Sequence, residues 1–250
     1  MNNEPVVIVK NLRKTFTRMK SDYGLKDVLL HSIVHFRRYR ERQQFVALND
    51  ISLVLNVGES LAILGANGAG KSTLLALLAG IIRPTVGTVS TFGRIGLMLE
   101  LGSGFCHDLS GRENIELNGL LLGENRKNLT AKTAQIIEFS GLKDCIDEPL
   151  RTYSTGMQTR LGFSIAAHVS PALMLIDEVL AVGDSEFQRK CLTKLREMQQ
   201  HDVAIVLVTH SLEAAEQFCD RAIYLEKGMI RFAGTTAEVI AAIRTQHCEF

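Results

Sequence analysis

Gly65-Ala66-Asn67-Gly68-Ala69-Gly70-Lys71-Ser72-Thr73 decides how this chain is read. It satisfies the pattern Gly-x4-Gly-Lys-Ser/Thr without a mismatch. Ser60-Leu-Ala-Ile-Leu64 before it predicts a buried strand, and Leu74-Leu-Ala-Leu-Leu-Ala-Gly80 after it predicts the opening of a buried helix. A phosphate-binding loop needs that strand–loop–helix setting. Gly65, Gly68 and Gly70 let successive N–H groups turn toward one anion. The helix opening near Lys71 adds its positive end. On this reading Lys71 reaches the β- and γ-phosphates, the Ser72 hydroxyl holds Mg²⁺, and the ligand is a nucleoside triphosphate.

The rest of the chain is compatible with such a domain. It has 250 residues, 46% of them apolar, and a net charge of +1. That supports a sizeable core and gives no electrostatic case for nucleic acid. The longest apolar runs fall short of the ~20 residues of a membrane span. Met1-Asn-Asn-Glu-Pro5 lacks the basic start and apolar core of a signal peptide. The five cysteines are scattered without metal-ligand spacing, so reduced structural thiols in a cytosolic protein are expected.

In chain order, Val6 to Leu12 predicts a first strand, and Phe16, with Phe45 as runner-up, is a candidate to stack on a base. Residues 17–44 read as an insertion with seven Lys/Arg against three acids. Leu25, Val28, Leu29, Ile33 and Phe36 share a helical face there, followed by Arg37-Arg-Tyr-Arg40. That suits a membrane surface, a partner's helix, or the domain's own flank. Phe45 to Leu55, Thr88 to Phe92 and Ile95 to Leu99 predict further strands, and 110–140 turns helical. A helical unit without strands over 101–169, set into an α/β core of 6–100 and 170–235, is expected. Ala172 to Ile176 and Val203 to Val208 read as doubly buried parallel strands joined by a helix over 185–200. Ala222 to Glu226 and Met229 to Ala233 predict a hairpin around Lys227-Gly228, and a final helix runs over 237–244.

Ligands of open α/β sheets sit beyond the carboxyl ends of the strands. Three such ends carry polar residues: the loop at 65–73, Asp177-Glu178 and His210. Asp177 is the candidate Mg²⁺ ligand, Glu178 the candidate to polarise an attacking water, and His210 the candidate γ-phosphate contact.

Tyr153-Ser-Thr-Gly-Met157, about twenty residues before Asp177, resembles the Leu-Ser-Gly-Gly-Gln signature of ABC ATPases. Leu99-Glu-Leu-Gly-Ser-Gly-Phe105, Ser110-Gly-Arg-Glu-Asn114 and Asp177-Glu-Val-Leu-Ala-Val-Gly-Asp184 resemble one branch, the ATP-binding subunits of bacterial O-antigen, capsule and teichoic-acid exporters. The resemblance covers about residues 6 to 235. It implies an α/β P-loop fold with a mostly parallel central sheet, an N-terminal antiparallel β portion and an inserted helical subdomain. It implies ATP hydrolysis with Mg²⁺ in a homodimer that sandwiches two ATP, with Ser154 and Gly156 touching the nucleotide of the second copy and Asp184 at the seam. It also implies an integral membrane permease as partner, a lipid-linked glycan as cargo, and a place on the cytoplasmic face of the bacterial inner membrane. Glu100 stands where most of these ATPases carry Gln, as a water or Mg²⁺ contact; Thr155 and Met157 replace a usual Gly and Gln. The rivals are a soluble ABC ATPase and a nucleotide-dependent kinase; the signature and His210 speak against the kinase.

Overall fold

The computed structural model describes residues 4–19, 42–98, 104–177 and 184–247. The helical face at 25–36, the basic cluster at 37–40, Glu100 and Glu178 lie outside the described residues.

Two sheets and a helical lobe make up the fold. β1 (Pro5–Met19), β2 (Arg42–Asn56) and β4 (Val86–Thr91) form an antiparallel sheet in the order β2-β1-β4. The ends of the region read as an insertion are therefore strand: Thr17 to Met19 pair with Gln44 to Arg42. The reason is register. β1 runs past Leu12 through a series of register shifts, which let it keep pairing with β2 beyond the apolar run.

The second sheet holds β3 (Ser60–Gly65), β5 (Ile95–Met98), β6 (Leu173–Asp177), β7 (Ala204–Val208), β8 (Arg221–Glu226) and β9 (Met229–Thr235). Its order is β5-β6-β7-β3-β8-β9, parallel except for the β8–β9 hairpin. Apart from Ser60 and Asp177 at their ends, β3, β6 and β7 are apolar because both faces are covered. Ala62, Leu64, Met174, Ile176, Ile205 and Leu207 enter one core; Leu61, Ile63, Leu173, Leu175, Val206 and Val208 enter the other. α1 (Lys71–Leu78) lies in the second core with the antiparallel sheet. α5 (Ser185–Gln200), the crossover from β6 to β7, buries Phe187, Cys191, Leu195 and Met198 on one face. Phe187, Leu195 and Met198 each contribute about 1.5–3 kcal/mol. α6 (Leu212–Phe218) and α7 (Thr236–His247) cover the same side.

α2 (Gly111–Leu121), α3 (Arg126–Ser140) and α4 (Thr155–His168) form the lobe around a separate small core of Ile115, Ile136, Leu150, Leu161 and Ile165. Its turns are set locally. Ser110 and Glu113 close a capping box on α2, and Asn125 caps α3. α4 starts at Thr155. Ser154 is its cap, accepting the Met157 N–H at 3.2 Å.

Candidate nucleotide site

The strand order decides the site. β3 lies beside β7, and β7 beside β6, all parallel, so the ends of three neighbouring strands open on one side. β3 delivers the loop, β6 delivers Asp177, and β7 runs into Thr209-His210. Asp177 lies in register with Val208, two residues before His210. The Thr209 N–H donates to the Ile63 carbonyl at 3.3 Å, which ties the His210 turn to the root of the loop.

Gly65, Gly68 and Gly70 have φ of 149°, 79° and 108°, conformations that L side chains rarely adopt. Gly70 also has no room: a Cβ there would lie 2.7 Å from Leu48 Cδ2 and 2.8 Å from the Ala47 carbonyl oxygen. At Gly68 a Cβ would meet nothing within 4 Å, so only its backbone angle demands glycine. Lys71 is 7% exposed, and its ammonium donates to the carbonyls of Gly65 at 2.9 Å and Ala66 at 3.2 Å. α1 opens on Gly70 with no side-chain cap, which leaves its positive end to the loop.

A cleft of about 480 Å³ lies over this loop, walled by Phe45, Ala47, Asn67, Gly68, Gly70, Lys71, Ser72, Thr73 and Asp177. Six of the nine loop residues line it, together with Asp177. Gly65 and Ala66 instead hold Lys71, and Ala69 is buried beneath. His210 is exposed at the end of β7, outside the lining. Of the two aromatic candidates, Phe45 lines the cleft. Phe16 pairs with it across the strands, and the Lys14 ammonium lies 4.9 Å from the Phe16 ring centre.

Sequence reasoning missed what places Phe45 and Ala47 there. Lys227-Gly228, read only as a turn, has φ of 47° and 79°. The Gly228 N–H donates to the Ala69 carbonyl at 3.0 Å, and the Gly228 carbonyl accepts the Asn49 N–H at 2.8 Å. The hairpin thereby latches β2 to the loop. The signal was present in the glycine, because a Cβ at 228 would lie 2.6 Å from the Ala47 carbonyl oxygen.

Ser72 and Asp177, a hydroxyl and a carboxylate, line the same cleft and are oxygen donors suited to a hard divalent cation. Ser154 and Gly156 are not brought to this cleft; they stand at the exposed N-terminus of α4 in the lobe. Asp184 caps α5 by accepting the Phe187 N–H at 2.8 Å, and Arg160 of α4 lies 3.8 Å away. That backbone donor, with Arg160, holds the Asp184 carboxyl below its ordinary range.

Known proteins give this geometry its family. The ABC transporter family matches residues 48–181. An O-antigen export system ATP-binding protein of Klebsiella pneumoniae is 44% identical over 238 residues, 95% of this chain and 96% of that one. A teichoic acids export ATP-binding protein of Enterococcus faecalis is 42% identical over 200 residues, 80% of this chain and 44% of that one. Among solved structures, a cassette in a dimeric post-hydrolysis state with ADP and Pi superposes with a TM-score of 0.71 at 21% identity, covering 92% of this chain and 98% of that one. An ATP-binding subunit of an ABC transporter superposes with a TM-score of 0.76 at 21% identity, covering 95% and 93%. The chain belongs to the ABC transporter ATP-binding family, in the branch that holds the O-antigen and teichoic-acid export ATP-binding proteins.

Proposed function

We propose that this chain binds and hydrolyses ATP to drive export of a lipid-linked polysaccharide through a membrane-spanning partner at the cytoplasmic face of the bacterial inner membrane. The observation that carries the ATPase reading is the convergence of Lys71, Ser72 and Asp177 on one cleft at the ends of β3 and β6. The polysaccharide cargo rests on the relatives' names.

The loop N–H groups and the α1 terminus bind the phosphates, and Lys71 exchanges the Gly65 and Ala66 carbonyls for phosphate oxygens. Phe45 stacks on the base, in preference to Phe16. Ser72 and Asp177 hold Mg²⁺, which supplies charge neutralisation at the phosphates. Glu178 takes the proton of the attacking water, and His210 donates to the γ-phosphate. Glu100 stands at a further water or Mg²⁺ contact. Ser154 and Gly156, which do not line their own cleft, complete the site of a second copy in a homodimer with two ATP between the copies. There the exposed N-terminus of α4 meets the γ-phosphate. Asp184, at the start of α5, lies at the seam.

The test is ATP turnover by the purified chain. The unmodified chain hydrolyses ATP, Glu178→Gln binds it with little turnover, and His210→Ala is slowed. Full turnover by Glu178→Gln removes that residue from its role. Phosphoryl transfer to an acceptor instead of water would point to a kinase.

A further inference from the structure

The helical lobe meets the sheet at a corner that holds a buried carboxylate. Glu124, between α2 and α3, is 3% exposed. Its Oε1 accepts from Asn128 Nδ2 at 3.0 Å, from the Asn125 N–H at 3.1 Å and from the Arg94 guanidinium at 3.4 Å. Its Oε2 accepts from Lys132 Nζ at 3.2 Å. Arg94 ties this corner to the sheet. The Arg94 carbonyl accepts the N–H groups of Ala172 and Leu173 at 2.8 and 3.2 Å, at the start of β6, and its guanidinium also donates to the Gly123 carbonyl at 3.0 Å. Lys132 of α3 also donates to Ser170 Oγ at 3.0 Å, just past the end of α4. A buried ion pair gives little net stability over an apolar contact. Directional, charge-assisted donors from both sides give a fixed angle instead.

α4 leads from this corner to the signature. Phe163, Ala166 and Ala167 in its C-terminal half belong to the core on the sheet, while Leu161 and Ile165 belong to the lobe's own core. Its 14 residues make a lever about 20 Å long. A tilt of about 10° at the corner displaces Ser154 by about 3.5 Å, enough to break a hydrogen bond. Toward the other end, the Arg160–Asp184 pair is 3.8 Å long with Asp184 61% exposed, too weak to fix the angle.

We infer that Glu124 is a positioning residue: by joining Arg94 at the sheet edge to Lys132 on the lobe, it sets the angle of α4 and so the place of Ser154 and Gly156 against the nucleotide of the second copy. This rests on the sandwich reading proposed above. Removing the carboxylate leaves the cleft over the loop untouched and loosens only the surface offered to the partner copy.

The experiment uses the full chain carrying Glu178→Gln, with and without Glu124→Gln. Nucleotide affinity is read by titrating the dilute chain with a fluorescent ATP analogue. ATP-driven dimerisation is read by sedimentation, and thermal stability is recorded beside both. The inference predicts nucleotide affinity unchanged within about twofold and dimerisation weakened about a hundredfold, about tenfold for the charge-assisted hydrogen bond lost in each of the two copies. Arg94→Ala removes a donor whose side chain is 46% exposed, and should move dimerisation in the same direction; it carries the test if Glu124→Gln does not fold. Dimerisation that is unchanged, or that moves only in step with nucleotide affinity or thermal stability, overturns the positioning role. A Glu178→Gln parent that stays monomeric in ATP overturns the sandwich reading and this one with it.

Discussion

Gly156→Asp separates folding from function. A Cβ built at 156 meets only Ser154 Oγ, at 3.9 Å, so the chain itself has room for a side chain. The position is in the first turn of α4, where a carboxylate interacts favourably with the helix dipole by about 0.3–1 kcal/mol. Thermal stability should therefore hold or rise by a few degrees, since about 1 kcal/mol moves a domain of this size by roughly 2–4 °C. The proposed sandwich puts a γ-phosphate against Ser154, and so about 4 Å from the new carboxylate. At an effective dielectric near 20, two unit charges at that distance repel by about 4 kcal/mol. The symmetric sandwich holds two such contacts, so the dimer loses about 8 kcal/mol, roughly a millionfold in the dimerisation constant. The assay is sedimentation of the Glu178→Gln chain, with and without the second change, over a range of ATP, with thermal melts of each. Gly156→Ala is the control, sterically tolerated by the chain and adding no charge. Dimerisation by Gly156→Asp equal to its parent would place Gly156 away from the phosphate. A fall of several degrees in the melt would refute the open space around it.

Lys71→Ala should abolish measurable ATP affinity in a calorimetric titration, because the change removes the cation from the loop together with its hydrogen bonds to the Gly65 and Ala66 carbonyls; unchanged affinity would contradict the loop assignment. Phe45→Ala should weaken nucleotide binding by about 1–3 kcal/mol, the worth of one base–aromatic stack, while Phe16→Ala leaves it nearly unchanged. The reverse ranking would put Phe16 on the base. Burial raises the Glu124 carboxyl, but the hydrogen bonds from Asn128, Asn125 and Lys132 outweigh it and bring the pKa down from 4.5 to about 2. A carboxyl depressed in the folded state contributes stability that is present above its unfolded pKa and lost as pH falls through its folded one. Denaturant midpoints measured between pH 5 and pH 2 should therefore fall less steeply for Glu124→Gln than for the parent; parallel slopes would show that Glu124 is not depressed.

The core of the fold was legible because its signals are local. Apolar runs of five or six residues ending in Gly65, Asp177 and Thr209 are what doubly covered parallel strands require, and they became β3, β6 and β7. The helix over 185–200 matched because its buried residues keep one face. The phosphate loop was legible for the same reason, since its function needs small residues at fixed offsets. Long-range pairing was less so. Register shifts carry β1 on to Met19, a feature no apolar pattern announces. α6, only seven residues over Leu212–Phe218, was too short to show a period. The choice between Phe16 and Phe45 needed the Gly228 latch, which joins Gly228 to Asn49 and Ala69, far apart in sequence. The Glu124 corner was invisible for the same reason: Arg94, Glu124, Lys132 and Ser170 come together only when the lobe is placed on the sheet.

The central claim is that this ATPase works on a membrane-spanning partner. The most direct test is to isolate the tagged chain from native membranes solubilised in detergent and identify what accompanies it. The account predicts a stoichiometric multi-span membrane protein in the eluate. Soluble partners alone, or none, would contradict the exporter reading and leave an ABC ATPase that acts away from membranes.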